Sequence, residues 1–74
     1  MEIVEKGQLK GAFKGFHNTE TVFEFYSGSK WRQNEYKYNY HYSYGPSAKV
    51  VNDSGRYWLQ VDGMSDSVEV VRIS

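Results

Sequence analysis

The side chains of this chain that could do chemistry are two histidines (His17 and His41), scattered serines, the aspartates Asp53, Asp62 and Asp66, and seven tyrosines. Catalysis needs polar groups that converge with matched pKa values, and the spacing does not bring these together. No nucleophile elbow, phosphate loop or zinc-ligand pattern occurs. His17 falls in the polar run His17-Asn18-Thr19-Glu20 and His41 among polar residues, so both read as surface histidines without a paired ligand motif. The three aspartates fall in turns, where their carboxylates bond the local backbone. The chain therefore reads as a non-enzyme with no cofactor and no metal site.

The tyrosines are different, because five of them alternate. Tyr36 to Tyr44 reads Tyr-Lys-Tyr-Asn-Tyr-His-Tyr-Ser-Tyr. Successive side chains of a β-strand point to opposite faces, so Tyr36, Tyr38, Tyr40, Tyr42 and Tyr44 share one face and Lys37, Asn39, His41 and Ser43 the other. A helix cannot separate them so. The spacing predicts one long strand with tyrosines inward, the spine of the fold. Five hydroxyls cannot all be satisfied inside a small core, so Tyr40, Tyr42 or Tyr44 near the strand end should border solvent.

Size and composition limit what can position these residues. The chain has 74 residues, enough for a single domain spanning 1–74, and at this size only about 60% of the unfolded surface can be buried. Seven Tyr, four Phe and two Trp must supply the core, since no cysteine is present to form a disulfide. Nine basic and nine acidic side chains balance to zero along the whole length, which argues against nucleic-acid and anionic-membrane partners. No apolar run approaches the roughly 20 residues of a membrane helix. Met1 to Lys6 is charged with no apolar signal region behind it, so a cytoplasmic protein is expected.

The chain divides into short strands. After a charged lead-in at Glu2 to Lys6, Gly7 to Phe16 reads as a strand with Gly7, Leu9, Gly11, Phe13 and Gly15 on one face, because three glycines would each cost a helix about 1 kcal/mol. Thr21 to Tyr26 follows with Phe23 and Phe25 on one face, then Lys30 to Gln33 with Trp31 and Gln33 together. Continuing that strand unbroken would put Trp31 on the face opposite Tyr36, so a bulge or bend near Asn34-Glu35 is expected to bring both sets inward. Gly45-Pro46 ends the tyrosine strand. Asn52-Asp53-Ser54-Gly55 is the clearest tight turn, joining Ala48 to Val51 onto Arg56 to Val61 as a hairpin. Val68 to Ile73 closes the chain, with its inward face ambiguous. About six antiparallel strands and no significant helix make this an all-β chain, and a small SH3-like or OB-like meander barrel would leave no edge unpaired.

One resemblance follows from these residues. Gly11-x-Phe13-x-Gly15, Thr21-Val22-Phe23, Gly28-x-x-Trp31-x-Gln33, the alternating tyrosines, Pro46, Gly55-x-Tyr57-x-Leu59-x-Val61-x-Gly63 and Val68-x-Val70 span nearly the whole chain. The pattern resembles a family of small uncharacterised bacterial all-β domains with a Trp-x-Gln element followed by alternating tyrosines. The resemblance implies a compact all-β fold and transfers no catalytic residue. The step from Pro46 to Val50 departs from it by being longer.

What remains is binding. Aromatics beside arginine form typical protein hot spots, so Tyr40, Tyr42, Tyr44, Arg56 and Trp58 are the candidate site, with Phe16 and Trp58 expected to extend an exposed aromatic patch. The leading expectation is a non-catalytic module recognising a protein or peptide, itself a monomer or weak homodimer. Single-stranded nucleic acid, stacked on tyrosines with Lys10, Lys14, Lys30 and Lys37 on phosphates, is the alternative. A structural or self-associating domain is the third.

Overall fold

A computed structural model describes residues 2–74; Met1, at the head of the charged lead-in, lies outside them. The described chain is all β. Its strands are β1 (Glu2–Gln8), β2 (Ala12–Phe13), β3 (Val22–Glu24), β4 (Lys30–Gln33), β5 (Ser43–Tyr44), β6 (Ser47–Asp53), β7 (Arg56–Val61) and β8 (Ser67–Arg72). Six form one antiparallel sheet in the order β1-β6-β7-β8-β4-β3, while β2 and β5 pair separately.

The best-defined local signal behaves as its residues dictate. Asp53 pairs with Arg56, leaving Ser54 and Gly55 as a two-residue loop with φ of 57° and 83°. Two positive φ values give the primed turn whose twist matches that of the flanking strands. The Asn52 side chain accepts the Gly55 amide hydrogen at 3.2 Å and steadies the loop.

Alternation selects the core. Phe23 and Phe25 are both buried, as are Trp31 and Gln33, Leu59 and Val61, and Val68 and Val70, which settles the facing of β8. Phe13, Phe16 and Phe23 pack mutually edge-on or tilted with centroids about 6 Å apart, the arrangement that ring quadrupoles favour. Trp31 stacks at a tilt on Tyr57 at 5.5 Å and donates its indole hydrogen to Glu5 at 2.8 Å.

Several expectations are corrected. Glu2 to Lys6 is not a lead-in but most of β1, paired to β6 through a register shift between Ile3 and Glu5. The expected Gly7 to Phe16 strand breaks, because Gly11 at φ 78° turns the chain away from the sheet and delivers Ala12 and Phe13 to β5. Phe16 is wholly buried, not part of an exposed patch. The sheet curls until its edges meet through the Leu9–Phe25 bridge, with Lys10 donating its amide hydrogen to the Glu24 carbonyl at 2.7 Å. That single bridge is not a continuous ladder, so the sheet is not a closed barrel.

The largest correction concerns the tyrosines. The chain does bend where β4 ends, at Glu35, but the bend does not flip the alternation. Inward positions continue as Trp31, Gln33, Glu35, Lys37, Asn39, His41 and Ser43, and all five tyrosines point outward. Only Ser43 and Tyr44 join a ladder as strand residues. Four phenylalanines, Trp31 and the valines already fill the interior, and five phenol hydroxyls there would have to find partners.

Candidate functional site

The tyrosine segment is an extended chain held from beneath by its polar residues. Gln33 is fully buried and is the only fully buried polar residue described. Its side-chain oxygen accepts the His17 amide hydrogen at 3.0 Å, and the two hydrogens of its side-chain nitrogen, one of them shared, serve the carbonyls of His17, Glu35 and Lys37 at 3.0, 2.8 and 3.1 Å. One amide side chain thus ties the 17 loop to the start of the tyrosines. Burial in a dry site strengthens such bonds and raises the cost of losing them.

Further along, the Lys37 ammonium donates to the Ser67 carbonyl at 2.7 Å and lies 3.7 Å from the Glu35 carboxylate, which in turn accepts the Glu69 amide hydrogen at 3.1 Å. Asn39 and Phe16 exchange main-chain hydrogen bonds at 3.0 and 2.9 Å, and the Asn39 amide reaches Asp66 at 3.5 Å. Gly15, at φ 92°, lies so close beneath this crossing that a Cβ would collide with the Asn39 carbonyl oxygen. The His41 ring lies against Gly63, where an added Cβ would stand 3.2 Å from its Nε2.

The rings themselves stand in solvent. Tyr36, Tyr38, Tyr40, Tyr42 and Tyr44 are 57% to 77% exposed. At about 3.3 Å rise per residue, the backbone positions that carry the rings repeat at roughly 6.6 Å. Tyr38 is steadied by the His17 ring, edge-on at 5.2 Å, and the His17 Nε2 lies 3.0 Å from the Lys14 carbonyl. The expectation of solvent-bordering Tyr40, Tyr42 and Tyr44 is met and exceeded, since Tyr36 and Tyr38 join them.

Arg56 and Trp58 belong to a different surface. They project from β7 on the face away from the core, where Trp58 stands opposite Val51 on one side and Glu69 on the other. Val51, also flanked by Ile3, is buried there although it lies outside the core cluster. Arg56 reaches Glu69 at 3.9 Å, and Asn34 donates to the same carboxylate at 3.3 Å. Among the described residues no hydrogen bond, ion pair or ring contact joins Arg56 or Trp58 to Tyr40, Tyr42 or Tyr44. The sequence reading missed Gln33 as the organising residue, although a polar residue sharing a face with Trp31 was its signal.

The titrating group of note is remote from the tyrosines. Burial raises the Glu5 pKa, but hydrogen bonds from Ser27, Trp31 and Ser29, with the charge of Arg72, outweigh it and hold the carboxyl below its ordinary 4.5. Among the described residues no group of three or more His, Asp or Glu could hold a metal ion, and no helix is long and apolar enough to cross a membrane. No family model matches the chain, and neither the curated proteins nor the solved structures contain a significant match.

Proposed function

We propose that this domain is a non-catalytic binding module that receives an extended protein or peptide segment along its tyrosine stripe, acting in the cytoplasm. The observation that carries the reading is the row of five rings, each more than half exposed, on a segment whose inward residues are fixed by Gln33, Lys37 and Asn39. A backbone held in place loses little entropy on binding, and exposed tyrosine supplies apolar area with a hydrogen-bonding tip. Its alternate-residue pitch equals that of an extended peptide. Small SH3-like and OB-like barrels use comparable aromatic grooves, and the curled sheet would be an open relative of them.

Single-stranded nucleic acid is the weaker reading. Lys37 turns inward to Ser67 and Glu35, Lys10 lies 3.9 Å from Glu24, and the net charge is zero, so few cations accompany the rings. The test is selection from a displayed library of random peptides, followed by binding measurements on the wild type and on a Tyr38→Ser, Tyr40→Ser, Tyr42→Ser triple variant. Peptides that bind the wild type and lose at least tenfold in affinity for the folded variant support the proposal. Failure of all peptides, with amide shifts on Tyr40 to Tyr44 induced by an oligothymidine at low salt and abolished at high salt, would replace it with nucleic-acid binding.

A further inference from the structure

The rings account for one side of the tyrosine segment, and its main chain has a second. Along one edge the segment runs antiparallel to residues 11–16, through the Asn39–Phe16 bonds, the Ser43–Phe13 and Tyr44–Ala12 pairs and the Gly45 amide on the Gly11 carbonyl at 2.9 Å. In an extended chain, alternate residues direct their N–H and C=O to opposite edges. Asn39 and Gly45 use the inner edge, so the groups of Tyr38, Tyr40 and Tyr42 lie along the outer one. Those groups make no hydrogen bond with any described residue. This is an extended edge of bare donors and acceptors, a template for another strand.

The sequence along that edge is symmetric in chemical type about Tyr40. When two such segments pair antiparallel around a two-fold axis at Tyr40, Tyr40 meets the partner's Tyr40, Tyr38 meets the partner's Tyr42, and Tyr36 meets the partner's Tyr44. Every ring then gains a ring directly opposite, a favourable cross-strand arrangement. Asn39 meets the partner's His41, so the only cation in the run, Lys37, meets the partner's Ser43 and no like charges face one another. The zero net charge sets up no long-range repulsion between copies. The five rings expose on the order of 600 Å² per copy, against about 800 Å² per partner in a standard interface, so partial burial of these rings suits a weak dimer.

We infer that the outer edge of Tyr36–Tyr44 binds the same edge of a second copy, forming a two-fold dimer whose joined segments present one continuous ten-ring platform. The inference rests on the same stripe as the proposed function but on its backbone, so the two can fail separately. A monomer that still binds selected peptides overturns only the dimer.

The chain has no cysteine, which makes cross-linking unambiguous. Directly opposite Cα atoms of a hydrogen-bonded antiparallel pair lie about 5.5 Å apart, within disulfide range. Under mild oxidation Tyr40→Cys should form a covalent dimer at least tenfold faster than Tyr26→Cys, a comparably exposed control. Tyr36→Cys alone should match the control, whereas a mixture of Tyr36→Cys and Tyr44→Cys should cross-link to each other. Sedimentation equilibrium of the wild type should show its mass rising from 8.6 kDa towards twice that value with concentration. Tyr40→Lys, which sets two like charges at the axis, should remain at monomer mass with native amide dispersion. Tyr40→Cys cross-linking no faster than the control, or a wild type that stays at monomer mass up to millimolar concentration, overturns the inference.

Discussion

Gln33 fixes the start of the tyrosine segment, because its amide bonds two stretches of backbone, at His17 and at Glu35 to Lys37, that are not joined by a strand ladder. Replacing it by leucine keeps the volume but leaves the His17 amide and the carbonyls of His17, Glu35 and Lys37 without that partner. The expected cost is about 3 kcal/mol, measured by urea unfolding, with the largest amide shift changes at residues 17 and 35–38. Gly15 is equally specific for another reason, combining a left-handed backbone with the crossing Asn39 carbonyl. Gly15→Ala should unhook Asn39 from Phe16, seen as loss of protection of both amides in hydrogen exchange. Glu5 supplies a pH dependence whose sign is fixed by its lowered pKa. Its contribution is fully present above the unfolded value near 4.5 and is lost as pH falls through the folded value below it. Glu5→Gln should therefore flatten the decline of stability in that acid window, as followed by urea titrations across it.

At the scale of elements, the β6–β7 turn and the tyrosine segment show what alternation can and cannot tell. The turn was legible because Asn-Asp-Ser-Gly leaves few backbone options. Ser54 nevertheless occupies a left-handed position that asparagine tolerates better, so Ser54→Asn should raise stability by about 0.5 kcal/mol, read from the urea midpoint. The inward pairs Phe23/Phe25 and Leu59/Val61 were also legible, since apolar residues at period two have one natural facing, and Trp31 carried Gln33 inward with it. For Tyr36–Tyr44 the period was legible and the sign was not. Tyrosine suits either face, and the deciding partners, Asp66 just before β8, Ser67 and Glu69 within it, and Phe16 beyond β2, are distant in sequence. A histidine or lysine that reads as solvated is here the anchoring side. The break at Gly11 was hidden for a related reason, since a glycine within an alternating run signals a close approach as readily as a turn.

For the whole molecule, a curled sheet with a Cα radius of gyration of 10.8 Å places most of its aromatics in two compartments. Phe13, Phe16, Phe23, Phe25 and Trp31 stabilise the interior, and five tyrosines do not. Phe16→Ala should cost about 3 to 5 kcal/mol, whereas each of Tyr38→Ser, Tyr40→Ser and Tyr42→Ser should change stability by less than about 0.5 kcal/mol. Thermal and urea unfolding of the four variants checks the division directly. The clamp that Gly15 makes possible has one more implication. Because Asn39 is pinned at mid-segment and Lys37 and Ser43 on either side of it, the backbone positions that carry the rings cannot slide relative to one another, and the stripe is graduated like a ruler at roughly 6.6 Å. If the stripe receives an extended chain as proposed, such a ruler would select by interval rather than by composition: a chain whose contact groups recur at that interval would engage several rings at once, and one with a different repeat would fall out of step after the first.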